Sequence, residues 1–144
     1  MKFKQIGAAL AASLAALCLA QPATVPNATN WKLATGYRAE SFHTQNIAQF
    51  AREVGAASGG QLAIEVMPNG TLAKLADISQ AVRDGKAQAG ETIMTSMVKD
   101  IPIAGADSVP FVVSTYSDAQ RLWKLQRPGI EKHFAERGVL LLVI

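Results

Sequence analysis

The sequence predicts an α/β fold, a mainly parallel sheet flanked by helices, and three observations point to it. Short apolar runs of strand length alternate along the chain with stretches whose apolar residues recur at three-and-four spacing, so the period of two and the period of 3.6 succeed each other. Strong turn chemistry stands at the junctions: Ser58-Gly59-Gly60, Pro68-Asn69-Gly70 and Asp84-Gly85. The only cysteine, Cys18, lies near the amino terminus. A disulfide framework is therefore excluded, and the domain must hold together through an ordinary hydrophobic core.

The chain opens with MKFKQIGAALAASLAALCLA, which reads as a secretory signal peptide over residues 1–20. Lys2 and Lys4 supply the positive start, residues 6–19 the apolar run, and Ala20 the small residue before the cleavage point. A membrane anchor needs about 20 strongly apolar residues. This run is shorter, rich in alanine and interrupted by Gly7 and Ser13. Leu17 stands where lipoprotein processing wants a small residue, so neither a lipid anchor nor stable membrane insertion after cleavage is expected. The mature protein belongs outside the cytoplasm.

Residues 21–30, QPATVPNATN, carry no period and read as a flexible leader, with order beginning at Trp31. Residues 31–35 suit a strand and 36–42 a loop. Ile47, Phe50, Ala51 and Val54 then mark one helical face, ended by a left-handed cap at Ser58-Gly59-Gly60. Residues 62–67 alternate Leu62, Ile64 and Val66 with Ala63, Glu65 and Met67, a strand closed by the Pro68 turn. Leu75, Ile78 and Val82 mark a second helical face stopped by Asp84-Gly85, and residues 87–94 are apolar enough for a buried strand end.

Pro102 and Pro110 bracket an expected loop, and Phe111-Val112-Val113 is a short apolar piece after it. Ser117 with Gln120 fits a capping box that opens a helix, with Leu122 and Leu125 facing inward. Pro128 is expected to restart the chain into a short helix bearing Ile130 and Phe134 on one side. Gly138 ends that helix, and residues 139–144 read as a continuous apolar strand. A strand of this kind fits the middle of a sheet, yet the sequence stops inside it. Residues 31–144 are therefore expected to be an incomplete lobe, the amino-terminal part of a longer protein.

Lysine plus arginine number 14 against 11 aspartate plus glutamate. The signal removes Lys2 and Lys4 and no acid, which leaves the mature chain nearly neutral. No stripe of basic residues suited to a phosphate backbone remains, so nucleic-acid binding is not expected. Nucleophilic catalysis finds no GxSxG, no mature cysteine and no placed serine–histidine pair, and phosphate-loop patterns are absent. No catalytic residue, metal or cofactor is assigned: His43 and His133 are the only histidines and neither has ligand spacing.

The candidates for binding lie in two loops. His43 closes the loop after the first strand, where α/β sheets present their crevice at the carboxyl ends of the strands; a plain helix-start histidine fits equally. Tyr37, Arg38 and Phe42 share the loop. An aromatic can stack on a ligand and an arginine can pair with a carboxylate, but Arg38 also fits a solvated loop charge and Phe42 a core position. Glu91, in AGETIM, is an isolated acid in an uncharged stretch and must find a partner, either a ligand group or a backbone amide. His133 reads as a solvated helix residue, Trp31 and Trp123 as packing, and Met67, Met94 and Met97 as scattered.

Taken in order, WKLATGY, FHTQNIAQFAREV, SGGQLAIEVMPNGTL, ISQAVRDGKAQAGE, DSVPFVVSTYSDAQRLW, RPGIEKHF and ERGVLLLVI resemble the solute-binding proteins of TRAP transporters, the tripartite ATP-independent periplasmic uptake systems. The resemblance covers residues 31–144. It implies a type II-like periplasmic binding protein lobe, one of two α/β lobes that close on a small molecule. It also implies an organic-acid ligand, delivery to TRAP membrane permease subunits, and a periplasmic location. Many family members bind organic acids and fix the ligand carboxylate with an arginine of the second lobe, a position that no residue of this chain matches. Some relatives place a ligand-contacting acid after the third strand; here Glu91 stands displaced by a couple of residues. The loop from Tyr37 to His43 and the segment from Glu91 through Met94 to Ser96 are implied to face the cleft. An exported ligand sensor for a signalling receptor, or a periplasmic enzyme on a related fold, remains the alternative.

Overall fold

The computed structural model describes residues 28–142, so the signal segment 1–20 and leader residues 21–27 lie outside the described residues. Three strands, β1 (Thr29–Thr35), β2 (Leu62–Met67) and β3 (Ala89–Glu91), form one parallel sheet in the order β2-β1-β3. The expected α/β class and parallel sheet are both present. β1 begins two residues earlier than Trp31, because Thr29 pairs with Leu62 and its N–H donates to the Gln61 carbonyl at 2.8 Å. A ladder partner overrides the polar composition of the leader's end.

Helix α1 (Phe42–Ala57) links β1 to β2. Ser41 caps it, its hydroxyl accepting from the Thr44 N–H at 3.3 Å, and Gly59 follows its end at φ 60°. Its apolar face packs against β2, though Phe50 stays 38% exposed. The return from β2 runs through a 3₁₀ turn (Leu75–Asp77) and α2 (Ile78–Arg83). Ile78, Ala34 and Ala87 form a buried cluster, with Leu75 and Val82 packed against it. Two glycines allow this close fit. A Cβ at Gly90 would collide with Ile78 Cγ2, and one at Gly36 would stand 2.8 Å from Leu75 Cβ. Since β2 and β3 flank β1 on opposite sides and crossovers are right-handed, α1 and α2 cover opposite faces of the sheet.

Beyond β3 the structure departs from several expectations. The segment expected as a loop between Pro102 and Pro110 winds into 3₁₀ turns over Pro102–Ser108 and buries Ala104 completely. Phe111 does not pack: it is 97% exposed at φ 66°. A single helix, α3 (Tyr116–Ala135), replaces the two expected helices. Its capping box uses Thr115 and Asp118 rather than Ser117 and Gln120, the Thr115 hydroxyl accepting from the Asp118 N–H at 3.1 Å. Pro128 lies inside α3, where burial of Gln126, Ile130 and Phe134 along one stripe holds the helix across the missing amide. That stripe turns Leu125 outward, to 79% exposure. His133 is half-buried, edge-on to Phe134, rather than solvated.

Met97, Ile101, Ala104, Ile130 and Phe134 form a second buried cluster. Residues 139–142 lie against it without a strand partner. Val139 and Leu141 pack inward while Leu140 and Leu142 face out, so the alternation of a strand is present but no ladder is. The expected terminal strand is thus not formed among the described residues, and its last two positions lie outside them. No helix among the described residues is long and apolar enough to cross a membrane.

Candidate functional site

The sheet order reverses at β1, whose neighbours are reached by successive crossovers on opposite faces. At such a switch point the loops leaving adjacent strands diverge and leave a crevice beyond the carboxyl ends. The residues at those ends are Thr35 of β1 and Glu91 of β3, which are register partners. Thr35 is fully buried, and its hydroxyl donates to Glu91 Oε2 at 2.7 Å. The Tyr37 N–H donates back to the same hydroxyl oxygen at 3.3 Å. One threonine therefore ties the loop after β1 to the acid at the end of β3.

The turn after β2 fastens this loop from the other side. Asn69 and Gly70 both adopt positive φ, and their N–H groups reach the carbonyls of Tyr37 (2.8 Å) and Thr35 (3.1 Å). With its backbone so held, the loop delivers the chain into the Ser41 cap, and the first two residues of α1 are Phe42 and His43. The His43 ring stacks on Tyr37 with centroids 4.4 Å apart and planes 15° off parallel. Phe42 lies 3.9 Å from the same ring and is 74% exposed. His43 Nδ1 stands 3.7 Å from Glu91 Oε1, a separation that suits an ion pair when the imidazole is protonated but exceeds a hydrogen bond. On the far side, the Thr92 hydroxyl donates to the Leu75 carbonyl at 2.8 Å and pairs with Ser96 at 2.9 Å, fixing the exit from β3.

The structure thus brings together Tyr37, Phe42, His43 and Glu91. Met94 is not with them; it packs against the second buried cluster. Arg38 shares the loop, but its side chain is exposed and its carbonyl accepts from the Ser41 N–H at 3.0 Å. Thr35, Asn69 and Gly70 went unremarked in the sequence as parts of a site. A hydroxyl at the last position of a strand, followed by glycine, was the available signal for Thr35. The assembled surface offers stacked rings beside a half-buried carboxylate, which suits holding a small molecule. Among the described residues no group of three His, Cys, Asp or Glu could hold a metal ion.

A concavity lies elsewhere, at the amino-terminal half of β1 and β2, lined by Trp31, Lys32, Ile64, Glu65, Lys86 and Gln88. Lys32, Glu65, Lys86 and Gln88 there are solvent-exposed, and the opening lies at the wrong end of the strands for a switch-point crevice.

Comparison with known proteins matches residues 33–144 to the family model described as bacterial extracellular solute-binding protein, family 7. An extracytoplasmic solute receptor of Bordetella pertussis binding pyroglutamic acid is 36% identical, with a TM-score of 0.76 over 79% of this chain and 38% of that one. A marine metagenome TRAP solute-binding protein specific for pyroglutamate is 32% identical, with a TM-score of 0.72 over 77% of this chain and 36% of that one. A TRAP periplasmic solute-binding protein from Sulfitobacter sp. NAS-14.1 with bound β-D-galacturonate is 20% identical, a likeness of fold alone, with a TM-score of 0.67 over 76% of this chain and 37% of that one. The chain therefore spans 36–38% of the length of these solved relatives. No curated protein matches it.

Proposed function

The chain belongs to bacterial extracellular solute-binding protein family 7, the TRAP-type receptors that its sequence resembles, and on that premise we propose that it captures a small organic anion in the periplasm for a TRAP-type membrane permease. Its described residues would supply one wall of the capture site. The observation that carries this reading is the cluster at the switch point: Tyr37 and His43 stacked 4.4 Å apart, with Glu91 held beside them by Thr35. Stacked rings present a flat apolar surface on which a planar ligand group can lie. Lobe closure then removes water from that contact. No bond is made or broken in such a cycle.

Pyroglutamate is the leading ligand, because the Bordetella pertussis receptor and the marine metagenome protein, both above 30% identity, bind it. The sugar-acid binder at 20% identity supports the fold and not a ligand. The test is calorimetric titration of pyroglutamate and galacturonate into the protein expressed from its native gene, together with uptake of labelled pyroglutamate by a strain lacking that gene. Binding of pyroglutamate with loss of uptake is the expected result. Binding with unchanged uptake favours the exported sensor, and consumption of the bound ligand favours an enzyme.

A further inference from the structure

We infer that Glu91 reads a hydrogen-bond donor on the ligand, and that the buried Thr35 hydroxyl is the positioning residue that aims it. The inference rests on the organic-anion reading above and adds which end of the ligand this wall recognises. The Thr35 hydroxyl oxygen accepts from the Tyr37 N–H and its proton is donated to Glu91 Oε2, since a carboxylate can only accept. That contact satisfies one carboxylate oxygen and sets the plane of the group. The other oxygen, Oε1, has no hydrogen-bond donor among the described residues; His43 Nδ1 stands 3.7 Å from it, beyond hydrogen-bond range.

Among the described residues Oε1 is therefore an acceptor without a protein donor, on a side chain 21% exposed. A carboxylate can only accept, and closure over it would strand this oxygen unless the incoming molecule brings an N–H or O–H. The stacked Tyr37 and His43 rings lie beside it, so the donor it meets belongs to a flat group lying along those rings. The same carboxylate repels a second anionic group placed there. Acceptance and repulsion together select a monocarboxylic acid with a ring N–H over an isostere without the donor, and over a dicarboxylate. The carboxylate of the ligand must then point away from Glu91.

The experiment compares three probes on the protein expressed from its native gene: the lactam acid proposed above, its lactone isostere in which a ring oxygen replaces the N–H, and glutarate. A hydrogen bond to a charged group is worth about ten- to a hundredfold in affinity, and that is the expected preference for lactam over lactone, with glutarate weakest. Glu91→Met should bring the lactam-to-lactone ratio to near one. Glu91→Gln, which keeps an acceptor for Thr35 but loses the charge, should reduce the ratio partway and relieve the exclusion of glutarate. Thr35→Val should lower the ratio and Thr35→Ser should restore it, a rescue that a purely packing role for Thr35 would not give. Binding of lactam and lactone with equal affinity, or a ratio unmoved by both Glu91 variants, overturns the inference while leaving anion capture standing. Binding of none of the three overturns the functional reading and the inference with it.

Discussion

The half of the molecule built from β1, α1, β2, α2 and β3 differs from the half built from residues 94–142 in how its parts are held. In the first, every loop at the carboxyl edge of the sheet is tied to a neighbour by a backbone or buried hydroxyl contact, from Asn69 and Gly70 on the β1 loop to Thr35 on Glu91. In the second, one helix lies over 3₁₀ turns on a separate buried cluster, and Phe111, Tyr116, Leu125 and Leu140 stay 97%, 82%, 79% and 78% exposed. Among the described residues, Arg83 of α2 and Asp100, 3.7 Å apart, form a polar link between the halves. The contrast explains where a site can form. Directional hydrogen bonds fix side-chain positions, whereas apolar packing tolerates adjustment; the candidates that assemble, Tyr37, Phe42, His43 and Glu91, sit in the half that has the former, and Met94, which does not join them, sits in the other.

Truncating the two cores tests their separateness with the largest effects. Ile130 is 0% exposed and Ile78 1%, so Ile130→Ala and Ile78→Ala should each cost about 2–5 kcal/mol in urea unfolding. If the clusters are independent, the double variant should match the two losses together to within about 0.5 kcal/mol. A larger coupling would merge the two halves into one core and break the comparison. Gly90→Ala comes next. The new methyl would meet Ile78 Cγ2, at a cost of about 1–3 kcal/mol, and by displacing β3 it should also weaken ligand binding. Ile130→Ala, in the other half, should leave the affinity of the folded protein unchanged.

Smaller effects sharpen the contrast. Thr115→Ala removes the capping box of α3 and should lower stability by about 1 kcal/mol without altering affinity, as read by paired denaturation and titration. At the end of α2, the side-chain amide of Gln80, with help from Lys86, holds the Asp84 carboxyl below its ordinary value of 3.8. A depressed carboxyl stabilises the fold above that ordinary value and loses the contribution as pH falls through the folded-state one. Gln80→Ala should therefore move the Asp84 carbon resonance midpoint upward in an NMR pH titration, with little change in stability near neutral pH.

How much was legible in the sequence follows the same division. The strand at 62–67, the α1 face and the Gly59 cap were readable because local period and turn chemistry agree with the tertiary outcome, and the strand end expected over residues 87–94 is found shortened to Ala89–Glu91, with Met94 already in a 3₁₀ turn. Tyr37, Phe42, His43 and Glu91 were readable as candidates because their loops follow strands. Thr35 was not, since its meaning comes from pairing with a residue 56 positions away. In the other half, local signals misled. Pro128 looked like a break, yet Ile130 and Phe134 bury on the same stripe as Gln126 and carry the helix through it. Residues 139–142 have strand alternation but no partner among the described residues, so their outcome depended on neighbours that periodicity does not reveal.

The most direct test of the switch-point site is an amide chemical-shift map of the protein expressed from its native gene, recorded as pyroglutamate is added. The largest shifts within this chain are expected at Thr35, Tyr37, His43, Glu91 and Thr92, with the exposed apolar residues Phe111 and Leu125 unmoved. Shifts concentrated instead at Trp31, Lys32, Ile64 and Lys86, around the concavity at the opposite end of the strands, would contradict the switch-point site.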